Sequence, residues 1–166
     1  MTVDDDGETT PGLERVEPGY RQVLRIHNLL IWLPLVVGSV VLDRLVLAET
    51  PFGGLLMVLV PLLALMTVVI APQRVWRRLG YALEPALLRV VRGWMFHTDT
   101  LVPLTRVQHL DIARGPLDKM FGTASLVVHT AGTQNSTVTL PGLSPARAAE
   151  LAGVIRGHIQ ADPDAA

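Results

Sequence analysis

The sequence predicts a membrane protein in two parts: an N-terminal transmembrane α-hairpin, then a small α+β domain with a bent antiparallel sheet or partly open barrel and a C-terminal helix. Three observations carry this. The twenty residues from Phe52 to Ala71 contain no charged side chain, and a helix of that length spans roughly 30 Å, the thickness of a bilayer's hydrocarbon core. Beyond Gly80 the apolar period shortens to two, the signature of half-buried strands. A capped amphipathic stretch from Ser144 then reads as one closing helix.

Met1 to Gly19 holds Asp4, Asp5, Asp6 and Glu8 and then Pro11, Gly12, Pro18 and Gly19, with few large apolar residues. It reads as a disordered acidic tail, and its three consecutive carboxylates as solvated charge. From Tyr20 the pattern becomes helical, and the hairpin is expected over residues 20–72. Its first span covers about residues 26–47, if Asp43 and Arg44 pair or snorkel at the far interface. The second covers residues 52–71. Pro34 and Pro61 each remove a backbone donor within a span and are expected to kink it. A signal peptide is the competing reading of the first span, but a long acidic segment precedes it and no small-x-small cleavage site follows. A helix buried in a soluble core is the competing reading of the second, but that needs only an apolar stripe, and here every face is apolar.

The connection from Asp43 to Pro51 is short, so the spans should run antiparallel. Arg15, Arg21 and Arg25 precede the hairpin and Arg74, Arg77 and Arg78 follow it, against Arg44 alone in the connection. The positive-inside bias places both termini in the cytoplasm, making this a multi-pass membrane protein. Arg74, Trp76, Arg77 and Arg78 are the candidate membrane-interface and lipid-contacting residues, and Trp32 also fits an interfacial level.

The second domain is expected over residues 73–160. Strand candidates are Leu87 to Arg92, Trp94 to Thr98, the alternation around Leu110 and Ile112, Ser125 to Thr130, and Ser136 to Leu140, separated by turns at Gly93, Gly115-Pro116 and Ala131-Gly132. In the last helix Ser144 serves as N-cap and Pro145 opens the first turn. Ala148, Leu151, Ile155 and Ile159 form one stripe and Arg156 points away. The tail 161–166 is expected to fray.

Composition narrows the chemistry. Residues 73 to 166 carry ten basic against seven acidic side chains, a surplus too small to argue for a nucleic-acid partner. The absence of cysteine removes disulfides, thiolate metal sites and cysteine nucleophiles together. His27, His97, His109, His129 and His158 show no zinc spacing, although His109 and His129 can approach across adjacent strands. Asp111 and Asp118 read as solvated carboxylates rather than an acid–base pair. No nucleophile elbow, phosphate loop or metalloprotease motif occurs, so no catalytic, metal or cofactor residue is assigned and no cofactor is expected.

The stretches Trp76-Arg77-Arg78-Leu79-Gly80-Tyr81, Val90-Val91-Arg92-Gly93, Val102-Pro103-Leu104-Thr105-Arg106-Val107-Gln108 and Gly115-Pro116-Leu117 leading to Phe121-Gly122 stand in order after the hairpin. With Thr130-Ala131-Gly132 and Leu140-Pro141-Gly142-Leu143, the chain from about Tyr20 to Ile159 resembles the bacterial pleckstrin-homology-like membrane proteins, in which a transmembrane hairpin precedes a PH domain of the second bacterial type. The resemblance implies a PH-like fold: two nearly orthogonal sheets in a partly open barrel, with the C-terminal helix plugging one end. It implies membrane attachment and no assigned biochemical activity. It also suggests a partner among membrane proteins, either a relative carrying several copies of the domain or the chain itself. Lys119 stands where the family often has arginine, which keeps the charge but loses the bidentate fork.

Arg106, Gln108, Lys119 and Phe121, around the Gly-Pro turn, are the candidate partner-binding residues, and a free strand edge is a further mode that needs no signature side chain. The function expected is that of a non-enzymatic, membrane-anchored interaction or assembly module. The alternatives are an anionic-lipid-binding module and a subunit of a membrane enzyme or transporter. Membrane lipids are expected partners in each case.

Overall fold

The structure, a computed structural model, describes residues 12–93, 97–131 and 137–161. Two long helices come first. Helix α1 (Gly19–Leu42) runs on into a π-helical turn (Asp43–Leu47), and α2 (Leu55–Arg78) returns antiparallel beside it. Both are long and apolar enough to cross a membrane, and the rest of the chain buries only 11% of either apolar window. Leu30, Leu33, Val58 and Leu65 are each more than half exposed. That exposure sets aside the soluble core helix, whose apolar surface would be covered by protein. Helix α1 runs through Pro34 and α2 through Pro61 and Pro72.

At the turn between the spans Asp43 is 3% exposed and accepts the Gly54 N–H through both carboxylate oxygens, at 3.1 and 2.9 Å. Gly54 is the N-cap of α2, with φ of 89°. A carboxylate from the first span thus satisfies an orphan donor at the positive end of the second. Of the two arrangements weighed for Asp43 and Arg44, pairing or snorkelling, the pair does not form: consecutive helical side chains diverge, and Arg44 reaches the sulfur of Met57 at 3.8 Å.

After α2 the chain enters two antiparallel sheets. The first orders β1 (Glu14–Arg15), β2 (Gly80–Leu83), β3 (Leu87–Gly93) and β4 (His97–Pro103); the second orders β5 (Val107–Ala113), β6 (Ala124–Thr130) and β7 (Thr137–Leu143). A 3-10 turn (Leu104–Arg106) carries the chain from one sheet to the other, and α3 (Pro116–Phe121) joins β5 to β6. The sheets are not closed into a barrel. Their inner faces share one core, in which Leu88, Val90, Leu126, Val128 and Leu140 are fully buried. Helix α4 (Pro145–Ala161) covers that core with Ala148, Leu151 and Ile155 buried, Ile159 half-buried and Arg156 exposed. The Ser144 hydroxyl caps it, accepting the Arg147 N–H at 3.2 Å.

The strand expected over Trp94 to Thr98 is found as β4, starting at His97 and running on to Pro103; residues 94–96 lie outside the described set, as do Ser136 and the tail from residue 162. The larger correction concerns the N-terminal segment. Residues 1–11 lie outside the described residues, but Gly12 to Gly19 is an ordered part of the fold rather than a tail. Glu14 and Arg15 pair with Tyr81 and Gly80, and Val16 is 3% exposed within the core. Proline, glycine and charge dominate this segment's composition, but one buried valine and a free sheet edge supply its order.

Candidate functional site

The domain is joined to the hairpin without slack. Only Leu79, itself 4% exposed in the core, separates the end of α2 from the start of β2. On the other side, Gly12 to Pro18 forms a strap that meets three elements. It extends the first sheet at β2. The Glu17 N–H donates to the Gly142 carbonyl at 2.7 Å. The Val16 and Glu17 carbonyls accept the Trp76 indole N–H at 3.3 and 3.1 Å. Behind the strap Tyr20 packs against Gly142, where an added Cβ would lie 2.7 Å from the ring, so only glycine fits.

A polar cluster fastens the strap's first strand. Tyr81 donates its hydroxyl to Glu14 Oε2 at 2.6 Å, and Arg147 of α4 reaches the same oxygen through Nε at 3.1 Å and through Nη2 at 2.6 Å. Arg147 also pairs with Glu150 at 2.8 Å. The Tyr81 hydrogen bond, supported by Arg147, holds the Glu14 carboxyl below its usual range. Burial, reinforced by the Glu14 carboxylate, pushes the Tyr81 phenol up to about 12. Sequence reasoning named Tyr81 only as the end of a family-like stretch and singled out neither Glu14, Arg147 nor Glu150. Glu14 and Arg147 stand 133 positions apart, and neither lies in a local motif.

The membrane-interface candidates occupy the last two turns of α2. Arg74, Arg77 and Arg78 are exposed there and, with exposed Arg15 opposite Gly80, make a basic collar where α2 meets the domain. Trp76 has a different environment from the one its flanking arginines suggested. Its ring is half-buried against the core, its N–H is taken by the strap, and the Arg21 guanidinium sits 5.5 Å from the ring centroid. Arg21 also donates to Gln73 at 3.2 Å, tying the helices together at that level.

The partner-binding candidates do not come together as one patch. Arg106 closes the 3-10 turn just before β5 and Gln108 lies at the start of that strand, both exposed, while Lys119 and Phe121 lie in α3, beyond its far end. From Gln108 to Ala113 the strand advances roughly 17 Å. Lys119 is exposed and Phe121 half-buried. Asp118 caps α3 from within: its carboxylate accepts the Gly115 N–H at 3.0 Å and the hydroxyl of buried Thr123 at 2.6 Å.

Between those ends β5 is an open edge. Among the described residues it pairs with β6 alone, and five of its seven residues are exposed. Ile112 stands opposite fully buried Leu126 yet remains 43% exposed, so the core-facing side of the sheet is uncovered at this edge. On the outer face His109 and His129, which the sequence allows to meet across adjacent strands, stand with ring centroids 5.9 Å apart and share the carboxylate of Asp111 at 2.9 and 3.2 Å. Asp111 and Asp118 make separate contacts and form no pair. Among the described residues no group of three or more His, Asp or Glu side chains is arranged to hold a metal ion.

Comparisons with known proteins agree with this architecture. The UPF0699 transmembrane protein YdbS of Bacillus subtilis (strain 168) is 34% identical over 80 residues, which cover 46% of this chain and 48% of that protein. The chain thus matches about half the length of this curated relative. No solved structure shows a significant match. The two apolar helices and the relative named as a transmembrane protein identify a membrane protein. A family model described as "Bacterial PH domain" matches residues 28–159, taking in most of the hairpin, both sheets apart from β1 and nearly all of α4, and the chain belongs to that family.

Proposed function

We propose that this chain is a non-enzymatic interaction module: a hairpin crossing the inner membrane twice, with both termini and the PH-like domain in the cytoplasm, that engages another protein through the open edge of β5. The edge carries the reading. A strand with one unpaired side presents main-chain donors and acceptors in a fixed row, a template on which another chain can add a strand. The exposed Ile112 supplies an apolar contact beside it. The arginines on the domain side of both helices support the orientation. The partner is another membrane protein: a second copy of this chain or a relative with several PH-like domains.

The test is in-cell crosslinking from a photoreactive residue placed at Arg106, Gln108 or Ile112, with Arg156 on the exposed side of α4 as control. A single recurrent protein adduct from the β5 positions and none from Arg156 is expected. Adducts with phospholipid alone, or none, would overturn the reading. A second reading rests on the exposed Arg74 and Arg77 of the collar, where each base near an anionic surface contributes on the order of 1 kcal/mol. It makes the protein a sensor of anionic lipid, with headgroup-dependent binding that weakens as salt rises.

A further inference from the structure

Outside the hairpin, which runs from Gly19 to Arg78, Met120 is the most exposed large apolar residue among those described, at 72%. It stands in α3 beside exposed Lys119, on an element whose other contacts fix its height above the bilayer. The end of α3 rests on the start of α1: a Cβ on Gly19 would come within 2.5 Å of the Phe121 carbonyl, so the two backbones touch there. The hydrogen bond from Arg21 to Gln73 sets the helices level with each other. Gly19 lies two residues above Arg21, and Ala71, the last residue of the charge-free run, lies two residues below Gln73. At 1.5 Å per residue on each helix, the end of α3 stands about 6 Å above the hydrocarbon edge. The headgroup layer on one side of a bilayer is roughly 5–8 Å thick.

We infer that α3 is a second membrane-contacting element, which sets Met120 into the headgroup and upper acyl layer of the bilayer holding the hairpin and Lys119 against lipid phosphate. Helices this short lack the area to bind a membrane alone. Here the hairpin has already fixed the distance, so the contact needs no separate attachment. The pairing of an unbranched apolar side chain with a neighbouring cation suits an interface whose depth changes from apolar to anionic over a few ångströms. The next most exposed apolar residue of the domain, Leu101, lies elsewhere in the fold. Leu101 is 58% exposed but pairs with Arg89, and Arg89 with Ala82, toward the end of the first sheet away from the hairpin.

The chain has no cysteine, so single-cysteine variants can be labelled at one site each. The full chain carrying Met120→Cys, Lys119→Cys or Leu101→Cys is labelled with an environment-sensitive fluorophore and reconstituted into phosphatidylglycerol-containing vesicles. Lipids bearing a nitroxide at the headgroup or high on the acyl chain are then added as quenchers. Quenching at 119 and 120 several-fold above that at 101 is expected, with the reverse order for a water-soluble quencher. Equal lipid quenching at all three positions would overturn the inference. So would protection of 120 from both quenchers, which would place it against protein. Val58→Cys, within α2, reports insertion through a deep nitroxide. The outcome is independent of whether the β5 edge finds a partner.

Discussion

Detaching the strap requires breaking the Glu14, Tyr81 and Arg147 cluster, so removing one member should loosen the whole N-terminal segment. The Glu14 side chain is half exposed and that of Arg147 about a third exposed. An isolated surface pair of this kind is worth at most about 1 kcal/mol. Here the guanidinium grips one carboxylate with two nitrogens while a buried phenol donates to the same oxygen, which places the contribution at the top of that range, about 1 kcal/mol. That corresponds to about a fivefold change in an opening equilibrium. The reporter is the Glu17 amide, which is held by the Gly142 carbonyl and is released only when the strap lifts. Hydrogen exchange at that amide should run about fivefold faster in Glu14→Ala and in Arg147→Ala, and no faster in the double variant than in the singles. Additive effects, or an unchanged rate in either single variant, would refute the cluster as the fastening.

Two further outcomes follow from the same contacts. Asp43→Ala leaves the Gly54 N–H without its acceptor and should destabilise the hairpin turn by about 1–2 kcal/mol, read as faster exchange at Gly54 in bilayer-reconstituted protein; unchanged exchange would show that the carboxylate is not the cap. The cluster should also confine the strap's stability to a pH window. Glu14 has a lowered folded pKa, so its contribution is present at neutral pH and is lost as pH falls through that value. Tyr81 has a raised one, so its contribution is complete below the ordinary 10 and is lost as pH rises toward about 12. Tyrosinate absorbance should therefore show a component with a midpoint near 12 that vanishes in Tyr81→Phe, and titration of every tyrosine near 10 would contradict it.

Much of the fold was legible because its main elements carry long, regular signals. The charge-free run to Ala71, the alternation through β6 and β7, and the Ser144-Pro145 start of α4 each fix an element from local sequence. What escaped was short or non-local. The two residues of β1 cannot show a period, and the segment around them has a composition that argues for disorder; only the buried Val16 betrays it. Strand β2 follows α2 after a single residue, with no turn signal to mark the change. Helix α3 has six residues, fewer than two turns, though Pro116 at its start and Asp118 two residues on are the pattern of a helix N-terminus. The candidate surfaces divide in the same way. Exposure of Arg74, Arg106 and Lys119 follows from their charge. The turning of Trp76 toward the strap, and the separation of Gln108 from Lys119 by the length of β5, depend on topology that spacing does not encode.

The single residue between α2 and β2 makes the second span a lever. A helix that tilts to match a thinner or thicker bilayer, or that rolls about its own axis against α1, has no hinge at Leu79 in which to dissipate the motion. The strap and Tyr20 grip the sheets from the α1 side, so a shear between the two helices is delivered to the domain from both. On the proposed reading, the angle at which the β5 edge is offered to a partner would follow how the hairpin sits in its lipid, so that a change in membrane thickness would be felt at the sheet.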